Sequence, residues 1–173
     1  MMKTKVILSA AGSDRPGLTR SLAEAVLAAG GNWLESHLSR LGGRYVGSVL
    51  VEVDAARMAE FEAAIRSVDA SGLSVSLVEA GDEPAAAGEL LRLELVGQDR
   101  PGIVREVTAV LAELGVNIED FSTSTENGAW SGERLFRAIA RLNVPPCTTS
   151  DQVRSALEAL SGEIMVDFNF SAK

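Results

Sequence analysis

The sequence predicts an α+β protein made of two consecutive copies of one βαββαβ unit. Three observations carry that expectation: a seven-residue motif that occurs twice, strand-like alternation of apolar residues around each occurrence, and a Gly/Pro/Ala-rich stretch between them. Gly12-Ser13-Asp14-Arg15-Pro16-Gly17-Leu18 recurs as Gly97-Gln98-Asp99-Arg100-Pro101-Gly102-Ile103, an offset of 85 residues between Gly17 and Gly102. The same offset, without a gap, pairs Arg20 with Arg105, Leu22 with Val107, Val26 with Leu111, Gly30 with Gly115 and Asn32 with Asn117. The composition of Gly81 to Glu89 marks a linker. The expected organisation is therefore a first domain over 1–80, a linker over 81–89 and a second domain over 90–173.

In the first copy a strand over 5–11 leads to a helix over 16–29, and strands over 33–40 and 44–53 turn through Gly42-Gly43. Asp54 is placed to cap a helix carrying Met58, Phe61, Ile65 and Val68, and Leu73 to Val78 alternates with Ser74 and Ser76 as a strand. In the second copy Leu91, Leu93 and Leu95 alternate with Arg92 and Glu94. Pro101 stands at the start of a helix whose apolar stripe is Ile103, Val107, Val110, Leu111 and Leu114, with Gly115 as its end. Strands over 117–125 and 134–144 flank a loop containing Trp130, and Phe136, Ala138, Ala140 and Leu142 form the apolar face of the latter. Thr149 and Gln152 have capping-box spacing before Val153, Leu157 and Leu160; Gly162 closes that helix, and Ile164, Val166, Phe168 and Phe170 end the copy as a strand. The order is the ferredoxin-like one, twice, with antiparallel sheets and helices on one face. Outer strands of such sheets are unpaired, which predicts that the two sheets adjoin and that the chain forms a homodimer.

Composition narrows the function. With 24 acids against 16 bases the formal charge is −8, which repels a phosphate backbone and argues against direct nucleic-acid binding. The first 80 residues hold 8 bases and 9 acids, so the excess lies in the linker and second copy, where it serves solubility or a cationic partner surface. The lone Cys147 has no disulfide partner, and neither a signal-peptide pattern nor a membrane-length apolar run is present, so the expected location is the cytoplasm with no membrane partner.

The residues that bear chemistry are the two Asp-Arg-Pro-Gly loops between first strand and first helix. Free N–H groups at a helix start, with the positive end of the helix dipole, hold a carboxylate or phosphate. The same residues also serve as a tight strand-to-helix turn with an aspartate favouring the dipole, and duplication copies turns as faithfully as sites. Asn32 and Asn117, just after the helix-ending glycine, read equally as turn residues or as amides that meet a polar ligand.

The element order, the Asp-Arg-Pro-Gly loop and the Gly-x-Asn at the second strand resemble the ACT domain, a regulatory module that binds amino acids. Two such domains filling a short chain are similar to the family of glycine cleavage system transcriptional repressors. The resemblance implies an amino acid held between paired domains by the first loop and the start of the second strand. That places Asp14, Gly17, Leu18 and Asn32 in one site and Asp99, Gly102, Ile103 and Asn117 in the other. Asp14 and Asp99 stand where several amino-acid-binding ACT sites carry asparagine. The repressor family is thought to act by holding an activator protein, which implies a protein partner here, an activator or an enzyme.

Catalysis finds little support in the residues. The single histidine, His37, lies mid-strand beside Ser36 and Ser39, and Cys147 follows Pro145-Pro146 with no second histidine to activate it. Metal-ligand clusters are missing, no cofactor is expected, and Trp33 and Trp130 read as packing or interface residues. The expectation is a sensing regulator acting through a protein partner. A detached regulatory subunit of an amino-acid biosynthetic enzyme is the alternative, and an enzyme in its own right ranks last.

Overall fold

The computed structural model describes residues 2–68, 72–81, 88–127, 134–160 and 164–170, the side chains of 166–170 excepted. Trp130, Gly162 and most of the expected linker lie outside these. The chain divides into two compact units, Met1–Glu83 and Pro84–Lys173.

The first unit runs β1 (Lys3–Ser13), α1 (Leu18–Ala28), β2 (Asn32–Leu41), β3 (Arg44–Asp54), a 3-10 turn (Ala55–Arg57), α2 (Met58–Ser67) and β4 (Leu73–Glu79). The second runs β5 (Glu89–Gln98), α3 (Ile103–Glu113), β6 (Asn117–Asn127), β7 (Arg134–Val144), α4 (Ser150–Glu158) and β8 (Met165–Phe170). Each unit is a four-stranded sheet, in order β2-β3-β1-β4 and β6-β7-β5-β8. Every pairing is antiparallel.

Alternation builds each core on one sheet face. Val6, Leu8 and Ala10 of β1 and Val49, Val51 and Val53 of β3 turn inward against Leu18, Leu22 and Val26 of α1 and Phe61 and Ile65 of α2. Leu91, Leu93 and Leu95 with Ala138, Ala140 and Leu142 do the same against α3 and α4. The opposite face of each sheet carries no helix of its own unit.

Helix ends follow the sequence closely. Gly30 (φ 77) and Gly115 (φ 70) terminate α1 and α3 in left-handed backbone. Their own N–H groups reach back to Leu27 and Ala112, and those of Gly31 and Val116 to Val26 and Leu111, the paired bonds of a Schellman motif. Thr149 and Gln152 make both bonds of the capping box: Gln152 N–H to Thr149 Oγ1 at 3.2 Å and Thr149 N–H to Gln152 Oε1 at 2.8 Å. Asp54 accepts from Ala56 N–H at 3.1 Å, so it caps the 3-10 turn that precedes α2 rather than α2 itself.

Two details depart from the sequence reading. The prolines do not open the helices: α1 and α3 begin at Leu18 and Ile103, with Gly17 and Gly102 as N-caps and Pro16 and Pro101 one residue earlier. The glycines have φ/ψ of 93/−4 and 92/−8, the values of the third residue of a type II turn, for which proline is the favoured second residue. The Ile103 N–H to Arg100 carbonyl contact at 3.3 Å is the closing bond of that turn. Second, both β2 and β6 carry a bulge at the same place, between Trp33 and Glu35 and between Ile118 and Asp120, so their inward phase reverses partway along.

Candidate ligand-binding loops

Each loop sits where its central strand ends, level with the start of the neighbouring strand, because Ser13 pairs with Arg44 of β3 and Gln98 with Leu135 of β7. In the first unit the Asp14 carboxylate pairs with Arg40 Nε at 3.0 Å, and Arg44 Nη1 donates to Ser13 Oγ at 3.3 Å. Thr19 and Tyr45 share a hydroxyl hydrogen bond at 2.5 Å. Gly17 is open: a Cβ built on it meets nothing within 4 Å. Leu18 is 3% exposed, so its side chain belongs to the core and its backbone N–H is what it offers the loop. Among the described residues Arg15, exposed, has no ion pair.

The second loop is closed more tightly. Asp99 N–H donates to the Arg134 carbonyl at 2.8 Å, and its carboxylate lies 3.9 Å from Arg134 Nε. Arg100 grips Glu106 with two guanidinium nitrogens, Nη1 to Oε1 at 2.8 Å and Nη2 to Oε2. That hydrogen bond from Arg100 holds the Glu106 carboxyl below the usual carboxylate range, against partial desolvation and with help from the charges of Arg100 and Arg105. Arg100 is correspondingly raised by the bond to Glu106. The first copy has Ser21 where the second has Glu106. Ile103, like Leu18, is core, at 4% exposure.

The asparagines lie elsewhere. Asn32 pairs with Glu52, and Glu52 with Lys5, which puts Asn32 level with the start of β1, eight residues from Ser13. At ~3.3 Å per residue it stands roughly 26 Å along the sheet from its own Asp14-Gly17 loop. Asn117 is placed identically, level with Leu90 through Asn143. The structure thus brings Asp14, Gly17 and Leu18 together, and Asp99, Gly102 and Ile103 together, but neither Asn with the loop of its own unit. Nor are the asparagines helix caps, since Gly30 and Gly115 fill that role; both begin strands and are exposed. Sequence reasoning missed Arg44 and Tyr45, which reach the first loop through the β1–β3 register, and Arg40, which reaches it through the β2–β3 register as well. Among the described residues no group of three or more His, Cys, Asp or Glu is placed to hold a metal ion, and no helix is long and apolar enough to cross a membrane.

Two tandem ferredoxin-like units, each with a turn-and-helix-start loop, define a chain of two small α+β domains. Residues 4–77 and 91–144 each match the ACT domain, and the chain belongs to the ACT-domain family. A UPF0237 protein from Methanococcus maripaludis is 36% identical over 78 residues, spanning 44% of this chain and 80% of that protein. The crystal structure of an unknown protein from Galdieria sulphuraria is 29% identical, covers 99% of this chain and 100% of that one, and superposes with a TM-score of 0.83. The structure of a candidate glycine cleavage system transcriptional repressor covers the same shares at 16% identity and a TM-score of 0.74, a likeness of fold.

Proposed function

We propose that this chain is a non-enzymatic sensor of an amino acid that regulates a protein partner, an activator or an enzyme, without binding DNA itself. The observation that carries the reading is the duplicated loop: a type II turn ending in a glycine N-cap that supplies no side-chain capping bond, so that the helix start lies beside arginines without a side-chain cap. A ligand carboxylate is the group such an arrangement favours. The arginines at the first loop, Arg15, Arg40 and Arg44, extend that preference.

The distance between each Asn and its own loop bears on how a site is completed. In this reading Asp14, Gly17 and Leu18, like Asp99, Gly102 and Ile103, are completed by an asparagine, Asn32 or Asn117, of a second copy of the chain, and the assembly is a homodimer in the cytoplasm.

The test is calorimetry of the full chain against each standard amino acid, followed by recovery of partners from native lysate with and without the ligand found. Ligand control requires different affinities in the free and partner-bound states, and a coupling of ~1–3 kcal/mol is typical. Saturable binding that Arg15→Ala weakens, with ligand-dependent partner recovery, supports the reading. Tight sequence-specific DNA binding by the chain alone, or no heat with any amino acid, overturns it.

A further inference from the structure

The face of the first sheet that carries no helix holds a concavity of about 570 Å³. Its floor is Ile7 and Leu50, direct cross-strand partners on β1 and β3, both half-buried although no helix covers them. Along one flank Glu35, the partner of Leu50 on β2, hydrogen-bonds His37, Oε1 to Nε2 at 3.1 Å. At one end the Lys3 ammonium bonds Glu52, and Lys5 stands opposite Glu52 across the strands. Both acids are therefore engaged. Among the described residues Lys5 is left as the cation of this concavity without an ion pair.

The second unit carries charged residues at the same place. Arg92 and Arg141 stand in the positions of Ile7 and Leu50, and Asp120 in that of Glu35, forming the same row of cross-strand partners. The concavity there is about 150 Å³. Charged side chains are the usual occupants of a water-facing sheet position, so the Ile7–Leu50 floor is particular to the first unit.

The geometry points to a second ligand site on this open face, for a small organic monocarboxylate with an apolar body. The volume is that of an ordinary small-molecule cleft. The body lies on Ile7 and Leu50, the carboxylate meets the Lys5 ammonium, and the Ser48 hydroxyl, beside His37, lines the same concavity. A single uncommitted cation selects a single negative charge. The site is separate from the loops, since Ile7 lies six residues down β1 from Ser13.

The experiment titrates isotope-labelled full-length protein with 4-phenylbutyrate and with the neutral 4-phenylbutanol, following backbone and methyl resonances. The expected result is saturable shifts at Ile7, Ser48 and Leu50, with the alcohol weaker by up to about fivefold, the most an exposed ion pair supplies. Lys5→Gln removes that difference. Leu50→Arg, the residue the second sheet carries at this place, weakens the neutral alcohol by more than about tenfold through loss of apolar contact, with the melting curve retained. Ile7→Ser gives the same answer should Leu50→Arg not fold. No saturable shifts, shifts confined to Asp14 to Leu18, or unchanged affinity in these floor variants overturns the proposal.

Discussion

Replacing Gly17 by alanine isolates the energetic role of the loop glycine. A methyl group there meets nothing within 4 Å, so the substitution carries no packing cost. What remains is backbone: φ is 93, and an L-residue held in left-handed backbone costs ~1–2 kcal/mol. Alanine also stiffens the unfolded chain, which favours folding by ~0.4–1 kcal/mol wherever the native dihedrals permit it. Gly81 is the internal control, equally open at its Cβ but without a positive φ. Gly81→Ala is therefore expected to be neutral to slightly stabilising and Gly17→Ala destabilising, the two separated by ~1–2 kcal/mol. Urea unfolding of the full chain followed by circular dichroism measures the gap, and in melting each kcal/mol moves a domain of this size by about 4–8 °C. Two variants that agree within about 0.5 kcal/mol, the scatter of surface changes, would refute the dihedral argument. Bulky substitutions at Gly17 or Gly102 consequently confound binding with stability, which is why Arg15 is the better probe of the site.

Further expectations concern the second unit and both cores. Thr149→Ala removes a complete capping box and is expected to cost ~0.5–2 kcal/mol in chemical denaturation. Leu8 and Leu93 occupy the same place in the two copies and are both fully buried; each change to alanine is expected to cost ~2–5 kcal/mol, read by the same method. Arg100→Ala is expected to raise the Glu106 titration midpoint into the ordinary carboxylate range, measured by NMR of the side-chain carboxyl carbon. Because the folded-state value lies below the unfolded one, the stabilisation from this pair is complete above the ordinary glutamate value and is lost as pH falls through the lower, folded one.

Period-2 alternation made most strands legible, and β7 spans the 134–144 read from sequence because Phe136, Ala138, Ala140 and Leu142 all face one core. The helix ends marked by Gly30, Gly115 and the Thr149–Gln152 pair were equally legible, since they act through local bonds. Strand β2 was harder, because the bulge after Trp33 reverses its phase: Trp33 pairs with inward Val51, yet Glu35 pairs with outward Leu50. A one-residue irregularity of that kind has no compositional mark. The loops themselves could be picked out from the repeated motif, but their surroundings could not. Arg40 and Arg44 reach Asp14 and Ser13 through pairing across dozens of residues, and the remoteness of Asn32 follows from strand direction, which no local pattern encodes.

Each half keeps a closed interior of its own, one drawn from Val6 to Leu73 and the other from Leu91 to Ile164. A lesion in one interior is thus felt first by that half, and distant substitutions in the two are expected to combine additively. For a duplicated chain this means two separate thresholds of tolerance. Either copy is free to drift in surface chemistry as long as its own apolar alternation survives, and the contrast between the Arg92–Arg141 pair of one sheet and the Ile7–Leu50 pair of the other is the visible record of that freedom.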